Sequence, residues 1–516
     1  MLQGLIRALP LSITDCFHTF LLNDYQRTLS FVTRANPELF HTIGAKKVLQ
    51  IFQHAAATVP AYRSFLQKHN VDPLQIKTIE DFERLVPITD KTNYIKKYDI
   101  AERCVSGKLP LHGNIDESGG TSGKPANWIR SVHENQLLFH VAKFEFEYIY
   151  NVSTKNMIVL SSWSTGPWAT GIKFCQLMQH FTLVKCTSTN IKNIVETLEM
   201  FGKDYEYIIA GYPPFLKKFI DECRLPLKQY KIHLLTGGEG ISLDWVSYFK
   251  RQLWDDALII SSYGASDIDI GVGFETPFSQ NLRQLCLKNK ELRSALFGEM
   301  PTIPMLFQYN PLMHHITQTY NRHEGKYEFV ITLLDPAVAS PKIKYNLHDE
   351  GNVYSYQEMI ALVTRYAPEC IQQYMKHYHH WPILRLPFLS VAGRTDGTIS
   401  LDGANIYPEQ VEAGIISQKQ LEKKTQAFMI YKNAVKGNNQ RFTIAIQLKS
   451  GVTQGKLLQR QYHDAILKKV LSLNPDFAES YRWNKQLCDP VIVFHKFDSP
   501  LFCSDDEQVK MKYIKT

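Results

Sequence analysis

Three short stretches of this 516-residue sequence carry residue types that could handle a nucleotide. The first is Ser118-Gly119-Gly120-Thr121-Ser122-Gly123-Lys124-Pro125. Its glycines let the backbone turn with N–H groups pointing inward, its hydroxyls add donors, and Lys124 adds a point charge. Together they could form a nest for phosphate oxygens. It is not a Walker A loop, because the spacing from Gly119 to Gly123 is too short and Pro125 stands where a Ser or Thr would hold magnesium. A flexible Gly/Ser linker has the same composition. The second stretch, Tyr263-Gly264-Ala265-Ser266-Asp267, follows an apolar run. There an aromatic ring could stack on a purine, a hydroxyl could reach phosphate, and a carboxylate could hold Mg²⁺. An ordinary turn after a strand is the alternative. The third, Gly393-Arg394-Thr395-Asp396-Gly397, runs on through ISLDGANIYPEQVE to Glu412. Arg394 could reach nucleotide hydroxyls or phosphate, and a domain linker with a hairpin would also fit.

Such loops need a scaffold, and the sequence supplies one. Met157–Ser162, Tyr207–Ala210, Ile232–Thr236 and Ala257–Ser261 are short apolar runs of the kind buried on both faces of a sheet. Periodic segments such as Ile191–Phe201 and Leu243–Leu253 lie between them as helices. That alternation predicts a mostly parallel, helix-covered sheet, with ligands at the strand ends. Residues 40–70 read as helix, broken at Pro60. After residue 395 the pattern changes: Phe428–Tyr431 and Phe442–Leu448 flank KGNN as a hairpin, Gly455–Leu473 reads as a helix, and Val491–Phe494 as a strand. The expected fold class is therefore α/β, with a large N-terminal domain over residues 1–395 and a small C-terminal α+β domain over 396–516.

Composition narrows the function classes. The chain is 44% hydrophobic and 21% charged, as in a globular protein. Its formal charge of +8 is spread without a basic run; it suits anionic nucleotides and does not require nucleic acid. Nine scattered cysteines, none in a C-x-x-C pair, argue against a zinc site of usual spacing and point to a reducing, cytoplasmic compartment. The apolar start is broken by Arg7, Pro10 and Asp15 and reads as a packed helix, not as a signal or a membrane span.

The three stretches occur in the order and approximate spacing of the adenylate-forming superfamily of acyl-CoA synthetases and luciferases. Gly393–Glu412 resembles that family's GRTDD…GxNxxPxxxE segment as found in phenylacetate–coenzyme A ligases, Ser118–Pro125 its SSGTTGKP loop, and Tyr263–Asp267 its YGxTE motif. Thr58–Arg63 (TVPAYR) and Val86–Lys91 (VPITDK) resemble N-terminal signatures of the same branch. The resemblance implies roles for particular residues. Ser118, Gly119, Gly120, Thr121, Ser122, Gly123 and Lys124 would embrace the β- and γ-phosphates of ATP. Gly238 and Glu239 would lie on the adenine side, with Tyr263 and Gly264 against the ring, Ser266 near the α-phosphate and Asp267 near Mg²⁺. Asp349, in a segment resembling PxxRYxxGD, would accept from both ribose hydroxyls. Arg394 would add a ribose or phosphate contact, and Asp396 would be the hinge of the small domain. Lys510 would be the catalytic lysine, with Lys512 in reserve.

The implied activity is ATP-dependent conversion of a small carboxylic acid to its acyl-AMP, followed by transfer to coenzyme A. Relatives in this branch are often homodimers. Asp267 stands for a Glu, Lys344 for an Arg, Asp402 for a basic residue, and Ser400 for a Lys. These departures keep two alternatives in play: transfer to an amine, hydroxyl or carrier thiol, or nucleotide binding without catalysis. Trp163, Ser164, Gly166, Trp168 and Gly171, and the run Gly211-Tyr212-Pro213-Pro214, could line the acid pocket or belong to the core. His377, His379 and His380 read as a solvated helix end.

Overall fold

A computed structural model describes residues 11–118, 126–166, 169–298, 300, 303–322, 325–394, 399–402, 404–435, 439–496, 499 and 502. Contacts divide the chain into two units. One comprises residues 1–117, 127–210 and 223–393; the other comprises 118–126, 211–222 and 394–516.

Strands β1 (Gly113–Ser118) and β2 (Ala126–Ser131), of which all but Ser118 and Ala126 belong to the first unit, form a two-stranded sheet. The four apolar runs become β3 (Met157–Ser161), β5 (Glu206–Gly211), β6 (Lys231–Thr236) and β7 (Ile259–Ala265), and β4 (Leu183–Cys186), largely exposed and not foreseen, lies between β3 and β5 in the chain. They are followed by β8 (Asp269–Phe274), β9 (Met305–Gln308), β10 (His314–Asn321), β11 (Lys326–Leu333), β12 (Tyr345–Tyr354) and β13 (Phe388–Arg394). These strands form one eleven-stranded sheet in the order β10-β11-β12-β13-β9-β8-β7-β6-β5-β3-β4. β3 runs parallel to both β4 and β5, and β6 runs parallel to β7, as buried runs joined by helices should. From β7 onward the sheet turns antiparallel: β8 folds back on β7, β9 pairs with β8 and β13, and β10, β11 and β12 form a meander. The mostly parallel reading thus holds for one half of a mixed sheet.

The order of β4, β3 and β5 makes a switch point, because the chain leaves β3 outward to β4 and returns on its other side as β5. Ligands bind at the carboxyl ends of strands at such points. There Ser162 donates from both N and Oγ to the carbonyl of Ala210, at 2.7 and 2.6 Å. The helical stretch read at 40–70 with a break at Pro60 forms two helices, Pro37–Thr58 and Pro60–Lys68, with Pro at the start of each.

The second unit contains the hairpin β14 (Ile399–Leu401) and β15 (Ala404–Ile406), and a sheet of β16 (Thr425–Val435), β17 (Asn439–Leu448) and β18 (Val491–His495). β16 and β17 are antiparallel, and β18 joins β17 in parallel. Helices Pro408–Ile416, Lys456–Leu473 and Pro475–Trp483 contribute Val411, Ile466 and Phe477 to a core with Ile430 and Ile444. Among the described residues no helix is long and apolar enough to cross a membrane.

Candidate functional site

β7 carries the second stretch to the end of the sheet. Tyr263 lies on it, buried, with Phe307 stacked against its ring (centroids 5.7 Å, planes 27° apart) and Phe329 edge-on at 6.1 Å. Its hydroxyl donates to Oδ2 of Asp349, on β12, at 2.5 Å. Two residues assigned separately to a nucleotide's base and ribose are therefore in contact. A carboxylate beside an aromatic ring suits a nucleoside, offering acceptors for a diol and a face for a base.

The turn after β7 is held from several sides. Gly264 lies against the returning β8: a Cβ there would come 2.6 Å from the carbonyl oxygen of Ile270 and 2.8 Å from that of Asp269. The carbonyl of Ser266 accepts from Nη2 of the buried Arg130 on β2, at 2.7 Å. Arg130 is itself held by Asp116 on β1 (Nε to Oδ2, 3.3 Å) and Glu134 (3.9 Å). Asp269, opening β8, is half-buried; desolvation raises its carboxyl, but Lys173 at 2.7 Å and Arg130 outweigh it and hold the group below its ordinary range.

Asp267 is buried and both its oxygens are engaged. Nζ of Lys91 lies 3.3 Å from Oδ1, and the hydroxyl of Tyr345 donates to Oδ2 at 2.8 Å. Lys91 also sits 5.8 Å from the ring centroid of Trp128, and Trp128 meets Tyr345 edge-on. A protein ammonium thus occupies the place expected for Mg²⁺. Asp267 is half of an ion pair and not an open metal ligand. No group of three or more metal-binding side chains occurs among the described residues, His377, His379 and His380 included.

The TDK of Val86–Lys91 explains how Lys91 arrives. Thr89 bridges in parallel to Tyr345: its N donates to the carbonyl of Lys344 at 2.9 Å, and its carbonyl accepts from N of Asn346 at 2.8 Å. Asp90 then caps the single turn Lys91–Ile95. Lys344, where the resembled motif has Arg, turns away from this cluster. Its Nζ donates to the carbonyls of Glu83 and Val86, at 2.7 and 2.8 Å, at the end of helix Ile79–Leu85.

The loop after β6 runs beside β7. A Cβ on Gly237 would lie 2.9 Å from Oγ of Ser262 and 3.4 Å from the Trp163 ring, so a larger residue would push the loop off the strand. Gly238 adopts φ +77°, and Glu239 follows it. The loop's far end is pinned by Arg283, which donates to the carbonyl of Ile241 at 2.8 Å and pairs with Glu275 at 2.6 Å, both side chains fully buried.

A cavity of about 70 Å³ opens under β7, lined by helix Glu134–Tyr150, helix Ala169–Met178 and strands β7 and β8. Trp163 lines it. Leu138, Val141, Ala142, Glu145, Phe146 and Ile149 supply another wall. Sequence reasoning missed this helix. The signal was present as an apolar stripe at helical spacing, interrupted by Glu145.

Ser118 closes β1 and is buried. Arg394 closes β13. Both belong to the second unit. Gly119, Gly120, Thr121, Ser122, Gly123, Lys124, Trp168, Asp396, Lys510 and Lys512 lie outside the described residues. The structure therefore brings together Tyr263, Gly264, Ser266, Asp267 and Asp349, and adds Lys91, Trp128 and Arg130 to them.

No protein-family model matches the chain, and no curated protein matches it. Solved structures do match. 2-Hydroxyisobutyryl-CoA ligase, in complex with 2-HIB-AMP and CoA in its thioesterification state, superposes with TM-score 0.64 at 13% identity, over 94% of this chain and 91% of that one. The same enzyme in its postadenylation state with 2-HIB-AMP gives TM-score 0.52 at 13% identity, with the same coverage of 94% and 91%. At such identities the likeness shows the fold, and this chain has the fold of the adenylate-forming enzymes.

Proposed function

We propose that the chain uses ATP to activate a carboxylic acid as its acyl-AMP and then transfers the acyl group to coenzyme A, as an AMP-forming acid–thiol ligase of the phenylacetate–coenzyme A ligase kind. The observation that carries this reading is the contact between Tyr263 and Asp349, residues 86 positions apart that the chemistry needs at one nucleoside. The fold shared with a ligase holding its own acyl-AMP and coenzyme A supports it.

In this reading the Ser118–Lys124 loop takes the β- and γ-phosphates, Gly238 and Glu239 border the adenine, and Tyr263 offers it a ring face. Asp349 accepts from the ribose hydroxyls. The acid's carboxylate oxygen attacks the α-phosphorus and pyrophosphate leaves. Ser266, Arg394 and Lys510 answer the charge that builds on the non-bridging oxygens, and a fixed site removes the entropic cost of bringing two anions together. A swing about Asp396 would then exchange the lysine for the thiol.

Two of the departures, Lys344 and Asp402, have local structural roles. Lys344 caps backbone carbonyls. Asp402 is buried in the turn between β14 and β15 with φ +51°, and its carbonyl accepts from Oγ of Ser480 at 3.0 Å.

The test is carboxylate-dependent exchange of labelled pyrophosphate into ATP, followed by assay for thioester with free coenzyme A. Exchange plus thioester is expected. Exchange without thioester would replace coenzyme A by another acceptor. ATP binding without exchange across broad pools of aromatic, fatty and amino acids would replace the enzyme by a nucleotide-binding protein.

A further inference from the structure

Two of the nine cysteines, scattered in the sequence, become neighbours in the fold: Cys175 on helix Ala169–Met178 and Cys186 at the end of β4. The topology brings them together. β4 lies on one side of β3 and β5 on the other, so right-handed crossovers through helices Ala169–Met178 and Ile191–Phe201 place the two helices on opposite faces of the sheet. Side chains alternate between faces along a strand. Lys185 points to the second helix, where its Nζ donates to Oγ1 of Thr197 at 2.7 Å. Cys186, the next residue, therefore points to the face of the first helix, which packs on β3 and β4. There it stands in register with Ser161 of β3, and its thiol interacts with that of Cys175.

Both are free thiols, and they differ in access. Cys186 is exposed on the edge strand of the sheet. Cys175 is half-buried, and burial above all pushes its thiol up to about 11. An exposed sulfur with a second sulfur behind it is the arrangement of an attacking and a resolving thiol. Cys286 and Cys370 also lie near each other, but both are buried in a core cluster, and Cys370 donates to Oδ1 of Asn281 at 3.7 Å. No oxidant reaches that pair without opening the core.

We propose that Cys175 and Cys186 form a redox-active dithiol, which a peroxide closes to a disulfide in the folded protein, Cys186 reacting first. The Cys186 sulfur, having given its proton to solvent, attacks one oxygen of hydrogen peroxide. The O–O bond breaks, and a sulfenic acid and hydroxide form; the hydroxide takes up the proton as water. The Cys175 sulfur then attacks the sulfenic sulfur. The S–O bond breaks, the S–S bond forms, and the Cys175 proton leaves with the oxygen as a second water. The two thiols lose two electrons, and the peroxide gains them. The bridge fastens to the sheet edge the helix that carries Lys173, the partner of Asp269 beside the nucleotide turn. By closing a loop within the chain, it also raises resistance to unfolding.

The experiment treats the full chain with hydrogen peroxide, blocks remaining thiols with N-ethylmaleimide, and maps the digested peptides by mass spectrometry without reduction. It uses no nucleotide or acid, so its outcome does not depend on the adenylation reading. A peptide linking Cys175 to Cys186, formed before any other pair and opened by dithiothreitol, is expected. The oxidised protein should melt at a higher temperature than the reduced one, and this rise should vanish in Cys186→Ser. In Cys175→Ser the sulfenic acid on Cys186 has no resolving thiol, so dimedone should label Cys186. In Cys186→Ser, Cys175 should stay a thiol. A first bridge at Cys286–Cys370, a bridge between two chains through Cys186, or a Cys175–Cys186 bridge that forms only in urea overturns the proposal. So does oxidation of Cys186 to the sulfinic acid in wild type while Cys175 is still blocked as a free thiol.

Discussion

The phenol of Tyr263 donates to Asp349 at 2.5 Å, so a residue of β7 and one of β12, separated by β8, β9 and β13 in the sheet, share one hydrogen bond. This cross-sheet contact gives the proposed nucleoside pocket its most direct test. Asp349→Ala should weaken binding of a non-hydrolysable ATP analogue by about 10- to 100-fold, the worth of hydrogen bonds to a charged group. Tyr263→Phe keeps the ring and should cost about threefold or less. Calorimetric titration separates the two, and unchanged affinity in Asp349→Ala would reject the ribose role.

The Lys91–Asp267 pair predicts a different pattern. Asp267 is buried and Lys91 half-buried, so removing the lysine leaves a carboxylate without its counterion, whereas removing both does not. Lys91→Ala should therefore lose about 2 kcal/mol or more in urea unfolding, and Lys91→Ala with Asp267→Asn should recover most of it. Because Lys91 occupies the cation position, Mg²⁺ should stabilise Lys91→Ala in the absence of nucleotide more than it stabilises wild type. Equal stabilisation would mean that Lys91 does not compete with the metal.

Gly264 was read as part of a nucleotide loop, yet its surroundings give it a structural reason. A methyl at this position meets backbone oxygens at 2.6 and 2.8 Å, which cannot move aside as a side chain could. Gly264→Ala should cost about 1–3 kcal/mol, typical of overpacking, and should lower the melting temperature together with ATP affinity. Ser266→Ala in the same turn should leave melting unchanged and slow exchange, since the residue is held through its backbone carbonyl.

Much of this was legible from the sequence where local pattern decides structure. Ile191–Phe201 reads as a helix and forms one with those bounds, between an Asn190 cap and Gly202 at φ +75°. The YGASD turn was legible because it ends a buried run. What escaped were partners set by pairing between distant segments. Nothing near Arg130 in sequence shows that it reaches Ser266, 136 positions away. Lys91 stands in a recognisable motif, but its contact with Asp267 follows from Thr89 pairing with β12. The antiparallel half of the sheet escaped for a related reason: β10 alternates buried and less buried residues, and the buried run that ends β11 does not by itself show which way its neighbours run.

The C-terminal lysines make a prediction that depends on chemistry alone. A lysine acting on the charge of the transition state contributes little to ground-state binding. Lys510→Ala should abolish pyrophosphate exchange, by about 100-fold or more, while ATP affinity stays within about twofold. If exchange survives in Lys510→Ala and is lost in Lys512→Ala, the catalytic role passes to Lys512.

Lys342 sets a pH dependence whose sign can be worked out. It is buried, its Nζ donating to the carbonyl and hydroxyl of Ser340 at 2.9 and 3.3 Å and lying 5.1 Å from the Trp128 ring centroid. Burial, and then the neighbouring Arg130 and Arg103, push its ammonium down from 10.5 to about 7. Between those values the unfolded chain holds the proton and the folded protein releases it. Stability therefore rises with pH wherever the unfolded state binds more protons. Over the window from about pH 7 to about 10.5, Lys342 should contribute up to about 1.4 kcal/mol per pH unit, and the contribution should flatten below pH 7. Lys342→Met removes the titrating group, so the difference in unfolding free energy between variant and wild type should favour the variant most at the low end of this window and shrink as pH rises. A difference that stays constant across the window would show that Lys342 remains protonated in the folded protein.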